Sequence, residues 1–266
     1  ALDALDHTNL PSPDQLILIS PMIGIDSDAR LTKWISLVGA IPFFRQSRWL
    51  DITPEYMPYK YCSFPANAAY QSYLITRKLE KKLKRVAEAG DNDQLPPIMA
   101  FQSVADATVT SLAVADVLYE NLSNPGDELI LFGVNSNAPE TAFFKPGFCM
   151  DTQQLLEDPA RSYHFKVLSN REPASSEVVE FSAEPGQTKV SVKETGLAWS
   201  DNFYSLSHVA LPFPCDDKVY GLDSWIGGAV PRGEKDTLTV PIDLIMRLKC
   251  NPFHDYLIEK IRRGII

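Results

Sequence analysis

Three short, nearly continuous apolar runs constrain this chain most: "QLILIS" (residues 15–20), "PIMAFQS" (97–103) and "ELILFGV" (128–134). Each is bounded by Pro, Gly, Asp or Asn, and runs of this kind suit central strands covered on both faces. Between the first two, Ile75, Leu79, Leu83 and Val86 recur at spacings of four, four and three, an amphipathic helical stripe. Between the second and third, Val114, Val117, Leu118 and Leu122 predict another helix before the turn "SNPGDE". Strand, helix, strand, helix, strand implies crossover connections, a parallel sheet and the α/β class.

Two stretches break this rhythm. Residues 24–65 carry "WISLVGAIPFF" and "WLDITPEYMPYKY", too long for a simple connection and too apolar for a disordered one. Residues 135–202 form a second excursion, in which "EVVEFSA" and "KVSVKET" flank "EPGQ" and predict a β-hairpin. Beyond residue 208 come "DDKVYG", a Gly-rich loop and an amphipathic end over residues 241–265. The 266 residues contain no internal repeat and read as a single domain with two excursions.

Composition narrows the function. A net charge of −9 argues against nucleic-acid binding, which needs clustered Lys and Arg. The one dense basic run, "RKLEKKLKR" (77–85), has leucines at helical spacing and reads as a solvated helix face rather than an anion site. No apolar run reaches the roughly 18 residues of a membrane span. The four cysteines, Cys62, Cys149, Cys215 and Cys250, show no C-x-x-C spacing and allow three disulfide pairings. They are expected to be reduced core thiols. The compartment stays open between cytoplasm and cell envelope.

Two residues stand where chemistry is done. Asp106 follows "IMAFQSVA", at the carboxyl end of an expected buried strand, the edge where open parallel sheets bind ligands. A carboxylate there can orient a histidine and stabilise its imidazolium; equally, "DATV" fits a helix N-cap. His208, in "LSHVALPF", lies in a loop beyond the apolar runs and supplies a base near neutral pH, though a backbone-bonded loop histidine reads the same. His7, His164 and His254 lack such a context, and His254 belongs to the last helix. Asp201, Asp216 and Asp217 lie nearer to His208 in sequence, but none follows a buried strand. Ser20 and Ser103 sit near strand ends without flanking glycines and read as structural. No spacing supports a metal site or a nucleotide loop, so no metal and no cofactor are expected.

The order of these segments resembles the last part of an α/β-hydrolase, closest to lysophospholipase-like or serine-aminopeptidase-like bacterial enzymes. "LILISPMIG" looks like that family's sixth core strand, with residues 24–65 in the position of its helical lid. "IMAFQSVADATV" looks like the seventh strand and acid loop, "ELILFGV" the eighth strand, and "LSHVALPF" the histidine loop. The resemblance implies that Asp106 is the triad acid and His208 the base. The 102 positions between them exceed the family's usual interval. The nucleophile of that family lies in G-x-S-x-G, and no serine of this chain does; "GLDSWIGG" around Ser224 has the wrong spacing.

In the family's order the nucleophile precedes the sixth strand, and only about fifteen residues stand before it here. The expectation is therefore the C-terminal part of a serine esterase or lipase-like enzyme, with its serine upstream and this chain inactive alone. An exposed sheet edge would then be covered by a missing N-terminal segment or by a second chain. Trp34, Leu37, Val38, Ile41, Phe43 and Phe44 are candidates to roof a pocket for an ester or acyl substrate, or simply pack the insertion onto the core. The competing reading is a non-catalytic module in which the same fold serves binding or assembly. A metal-assisted hydrolase using Asp106 and His208 ranks third.

Overall fold

The computed structural model describes residues 2, 10–23, 41, 46, 48–51, 63–105, 111–122, 124–139, 150–201, 203–207, 210–219, 221–222 and 250–265. The strands among them are β1 (Leu16–Ile19), β2 (Trp49–Asp51), β3 (Phe64–Pro65), β4 (Ile98–Ser103), β5 (Glu128–Phe132), β6 (His164–Asn170), β7 (Glu177–Ala183) and β8 (Ser191–Ala198). The helices are α1 (Ala66–Ala89), α2 (Ser111–Val114, continued as a π-turn over Ala115–Tyr119), α3 (Met150–Glu157) and α4 (His254–Ile265).

Six strands form one mixed sheet in the order β1-β4-β5-β6-β7-β8. The first four are parallel: Ile19 lies opposite Phe101, Ser103 opposite Phe132, and Phe132 opposite Leu168. The three apolar runs thus form parallel strands in an α/β arrangement. The sheet does not end with the third run. Strand β6 continues it in parallel, and β7 and β8 extend it antiparallel. Strand β6 escapes a search for apolar runs because "HFKVLSN" alternates: Phe165 and Val167 are buried while Lys166 between them is half-exposed. Of residues 24–65, the described part contains β2 paired antiparallel with β3.

Successive side chains of a strand face opposite ways, and both faces are covered here. Ala100, Leu129, Leu131 and Val167 pack with Leu83 of α1 and Val114, Leu118 and Tyr119 of α2. Met99, Phe101, Ile130, Phe132 and Leu168 pack with Trp199, Phe203, Leu206, Leu211 and, from α4 and its approach, Phe253 and Leu257. Each fully buried Leu or Phe contributes about 1.5–3 kcal/mol. Gly133 follows β5 where there is no room for a side chain: a Cβ there would meet the Leu168 carbonyl oxygen at 2.7 Å.

Helix α1 ends at Gly90, whose φ of 74° lets its N–H return to the Ala87 carbonyl. Of its apolar stripe, Leu83 is buried and Leu79 and Val86 pack on the core, but Ile75 is 63% exposed. Ile75 borders a groove of about 650 Å³ between α1 and β1, lined by Leu16, Leu18, Ile23 and Leu79. Of the basic run, Lys78 and Lys82 border this same groove, while Glu80 pairs with the exposed Arg77 and, at 2.9 Å, with Lys84.

Helix α4 is tied to the sheet through buried charge. Glu180 of β7 accepts the Tyr256 hydroxyl at 2.5 Å and pairs with Lys260 at 3.0 Å, and Lys166 of β6 pairs with Glu128 of β5. The expectation of four reduced thiols does not hold, because Cys215 and Cys250 form a disulfide with their Cα atoms 5.0 Å apart. Their 35-residue separation hides the pairing in sequence, and the fold brings the two together by returning the chain to the start of α4. Cys62 and Cys149 lie outside the described residues.

Candidate catalytic edge

Parallel strands end on the same side, so the carboxyl ends of β1, β4, β5 and β6 form one polar rim. Ser103, the last residue of β4, is fully buried. Its hydroxyl donates to the carbonyl of Leu206 at 2.6 Å and accepts the Ala105 N–H at 3.3 Å. The strand end and the segment leading to residue 208 are therefore in direct contact, although 103 positions separate them.

A second anchor stands one strand over. Asn135, three residues past β5, is 4% exposed. Its Nδ2 donates to the Phe203 carbonyl at 2.9 Å, and its own N–H donates to the Tyr204 carbonyl at 2.8 Å. Its Oδ1 accepts Nδ2 of Asn170 at 3.0 Å, from the end of β6. Asn170 in turn accepts the Ser136 N–H and donates to the Ser175 carbonyl. Both side chains are buried, and each amide is engaged as donor and acceptor, the condition for burying polar groups without loss.

Beyond residue 209 the segment is held from the other side. The N–H groups of Ala210 and Leu211 donate to the Ser207 carbonyl, and the Ser207 hydroxyl accepts a further bond from the Ala210 N–H. Asn251 donates Nδ2 to the Leu211 carbonyl at 3.0 Å and its N–H to the Phe213 carbonyl at 2.7 Å. The Cys215–Cys250 bridge lies beside these bonds. Residues 203–207 and 210–213 are thus pinned to β4, β5 and the entrance of α4.

Ser20 closes the rim at β1. Its N–H donates to the Phe101 carbonyl at 2.8 Å and its φ is 51°, the one positive φ outside glycine among the described residues. Its Oγ is buried and has no hydrogen-bond partner. Ser20 and Ser103 both read as structural in the sequence; Ser103 is one by its bonds, and Ser20 has no such bond. A smaller cavity of about 220 Å³ opens on the α3 side of the rim, between Val104, Gly133, Val134, Leu156 and Val167.

Asp106, His208, Trp34, Leu37, Val38, Phe43, Phe44 and His7 lie outside the described residues. Ile41 is described and 53% exposed. Of the carboxylates close to His208 in sequence, Asp201 and Asp216 are exposed, and Asp217 accepts the Val219 N–H at 2.8 Å within its own turn. His164 starts β6, at the opposite edge of the sheet, where its Nδ1 lies 2.9 Å from Glu184. His254 opens α4. Among the described residues there is no group of His, Cys, Asp and Glu fit to hold a metal ion, and no helix is long and apolar enough to cross a membrane.

Asn135, Asn170 and Asn251 were missed in the sequence. Asn135 carried the signal that singled out Asp106, a polar residue directly after a buried run, in "LFGVNSN". Asn170 and Asn251 follow no such run.

No family model matches the chain, and neither the curated proteins nor the solved structures yield a match.

Proposed function

We propose that this rim is the catalytic edge of a serine hydrolase of α/β-hydrolase type, cleaving an ester or acyl substrate by acyl transfer to water. The observation that carries the reading is the Ser103–Leu206 hydrogen bond. Asp106 follows Ser103 by three residues and His208 follows Leu206 by two, so the two segments that bear the acid and the base start from bonded positions. In this reading Asp106 accepts the Nδ1–H of His208, which fixes the tautomer and leaves Nε2 as base. Nε2 takes the proton of a serine hydroxyl while its oxygen bonds to the substrate carbonyl carbon. The tetrahedral intermediate collapses to an acyl-enzyme as His208 returns the proton to the departing alcohol, and water then releases the acid by the same route. The reaction needs no cofactor.

The serine itself is not one of the 266 residues in this reading, since none of them stands in G-x-S-x-G. In this reading residues 24–65 are a lid-like insertion that supplies Trp34, Leu37, Ile41, Phe43 and Phe44 to the substrate pocket, and β7 with β8 lengthens the interval between acid and base.

Fluorophosphonate labelling tests this directly. The 266-residue chain is expected to remain unlabelled, and the chain expressed with the coding sequence that precedes Ala1 to take the probe on one serine. His208→Ala should abolish that label. A label on Ser20, Ser103 or Ser207 of the short chain would contradict the assignment. A folded longer chain that never labels would favour a binding or assembly module.

A further inference from the structure

We infer that the groove between α1 and β1 binds one long-chain carboxylate, with its hydrocarbon tail on the apolar floor and its head between Lys78 and Lys82. This site stands apart from the hydrolytic reading and uses none of the residues assigned there. The groove holds about 650 Å³, within the range of about 300–1,000 Å³ usual for small-ligand sites. Its floor reaches the core, for Leu83, Leu95, Ile98 and Leu118 line it and all four are buried. At its mouth Ile75 and Met22 stand largely exposed. A contiguous apolar surface open to water marks a place of interaction.

The charges at the groove select the head group. Among the described residues that line it, twelve are apolar and two are charged, and both charged ones are lysines. None of these lining residues is a carboxylate, in a chain whose net charge is −9. Lys78 and Lys82 stand four apart on α1, which sets their Cβ atoms about 5–6 Å from each other. Both ammoniums can therefore reach one carboxylate, while their alkyl stems continue the apolar wall. Glu80, between them in sequence, is engaged by Arg77 and Lys84 instead. A bare phosphate would leave the apolar floor open to water, and a neutral hydrocarbon would leave the lysines unused. A fatty carboxylate satisfies both.

The experiment titrates the 266-residue protein by calorimetry with decanoate, dodecanoate and tetradecanoate, each below its micelle concentration. One molecule should bind per chain, roughly three- to fourfold more tightly for each added methylene. 1-Decanol should bind about tenfold more weakly than decanoate, because it cannot pair with the lysines. Ile75→Glu puts a negative charge at the exposed mouth, and Lys78→Gln with Lys82→Gln removes the partners of the head. Each variant should weaken decanoate about tenfold or more, with circular dichroism confirming the fold. If one of them does not fold, the other decides. Lys81→Gln, exposed on α1 and outside the groove, should bind as the unaltered protein does. Three results would each overturn the inference: no binding, an alcohol held as tightly as its acid, or an affinity unmoved in the folded groove variants. The last of these would place the fatty acid elsewhere, as in an acyl pocket of the hydrolytic reading.

Discussion

Ser103 and Leu206 are 103 positions apart and share a 2.6 Å hydrogen bond, hydroxyl to carbonyl, in the buried interior. That bond joins the end of a central parallel strand to the segment that returns over it. Ser103→Ala leaves the Leu206 carbonyl buried without its donor, which costs about 1–3 kcal/mol. Urea unfolding should show a lower midpoint with an unchanged slope. An unchanged midpoint would mean that the bond carries no weight in the fold.

The Cys215–Cys250 bridge closes a loop of 35 positions between the segment after residue 208 and the start of α4. Constraint of the unfolded chain by a loop of this length is worth about 3–4 kcal/mol. Thiol alkylation under denaturing, non-reducing conditions should leave Cys215 and Cys250 unmodified. Reduction, or the paired change Cys215→Ser with Cys250→Ser, should lower the unfolding temperature. Alkylation of either residue without reductant would contradict the bridge. Such a bond persists under oxidising conditions and is lost under reducing ones.

Glu180 makes the attachment of α4 dependent on pH. Burial alone would raise its pKa, but the Tyr256 hydroxyl and the Lys260 ammonium stabilise the carboxylate and hold the value below the usual glutamate range. A carboxyl whose folded pKa is depressed adds stability above its unfolded pKa, and that stability is lost as pH falls through the folded value. Glu180→Gln should therefore cost about 1–3 kcal/mol at neutral pH. The difference from the unaltered protein should shrink once the medium is acid enough to protonate Glu180. Equal stability at neutral pH would show that the pair with Lys260 adds nothing.

Much of this architecture was legible because burial on both faces writes itself as a continuous apolar run, as in "LILI", "IMAF" and "LILF". Strand β6 was not, since Lys166 interrupts it; the lysine is tolerated there because Glu128 on the adjacent strand pairs with it. The Cys215–Cys250 pairing was not legible because proximity of distant residues is a property of the fold. The rim was half legible. A polar residue at a strand end marks a place where a side chain meets something, as at Asn135. It does not show that Asn135 meets the Phe203 carbonyl 68 positions away. Ser103 looked structural for want of flanking glycines; the bond to Leu206 shows what that structural duty is.

The central claim is that Asp106 and His208 act together, and the titration of His208 with and without the acid tests it most directly. A carboxylate at Nδ1 favours the imidazolium, so the His208 pKa should stand above that of an ordinary histidine, with Nδ1 carrying the proton of the neutral form. In Asp106→Asn the pKa should fall and the tautomer preference should be lost. A His208 that titrates identically in both proteins would contradict the pairing, and with it the hydrolytic reading of this rim.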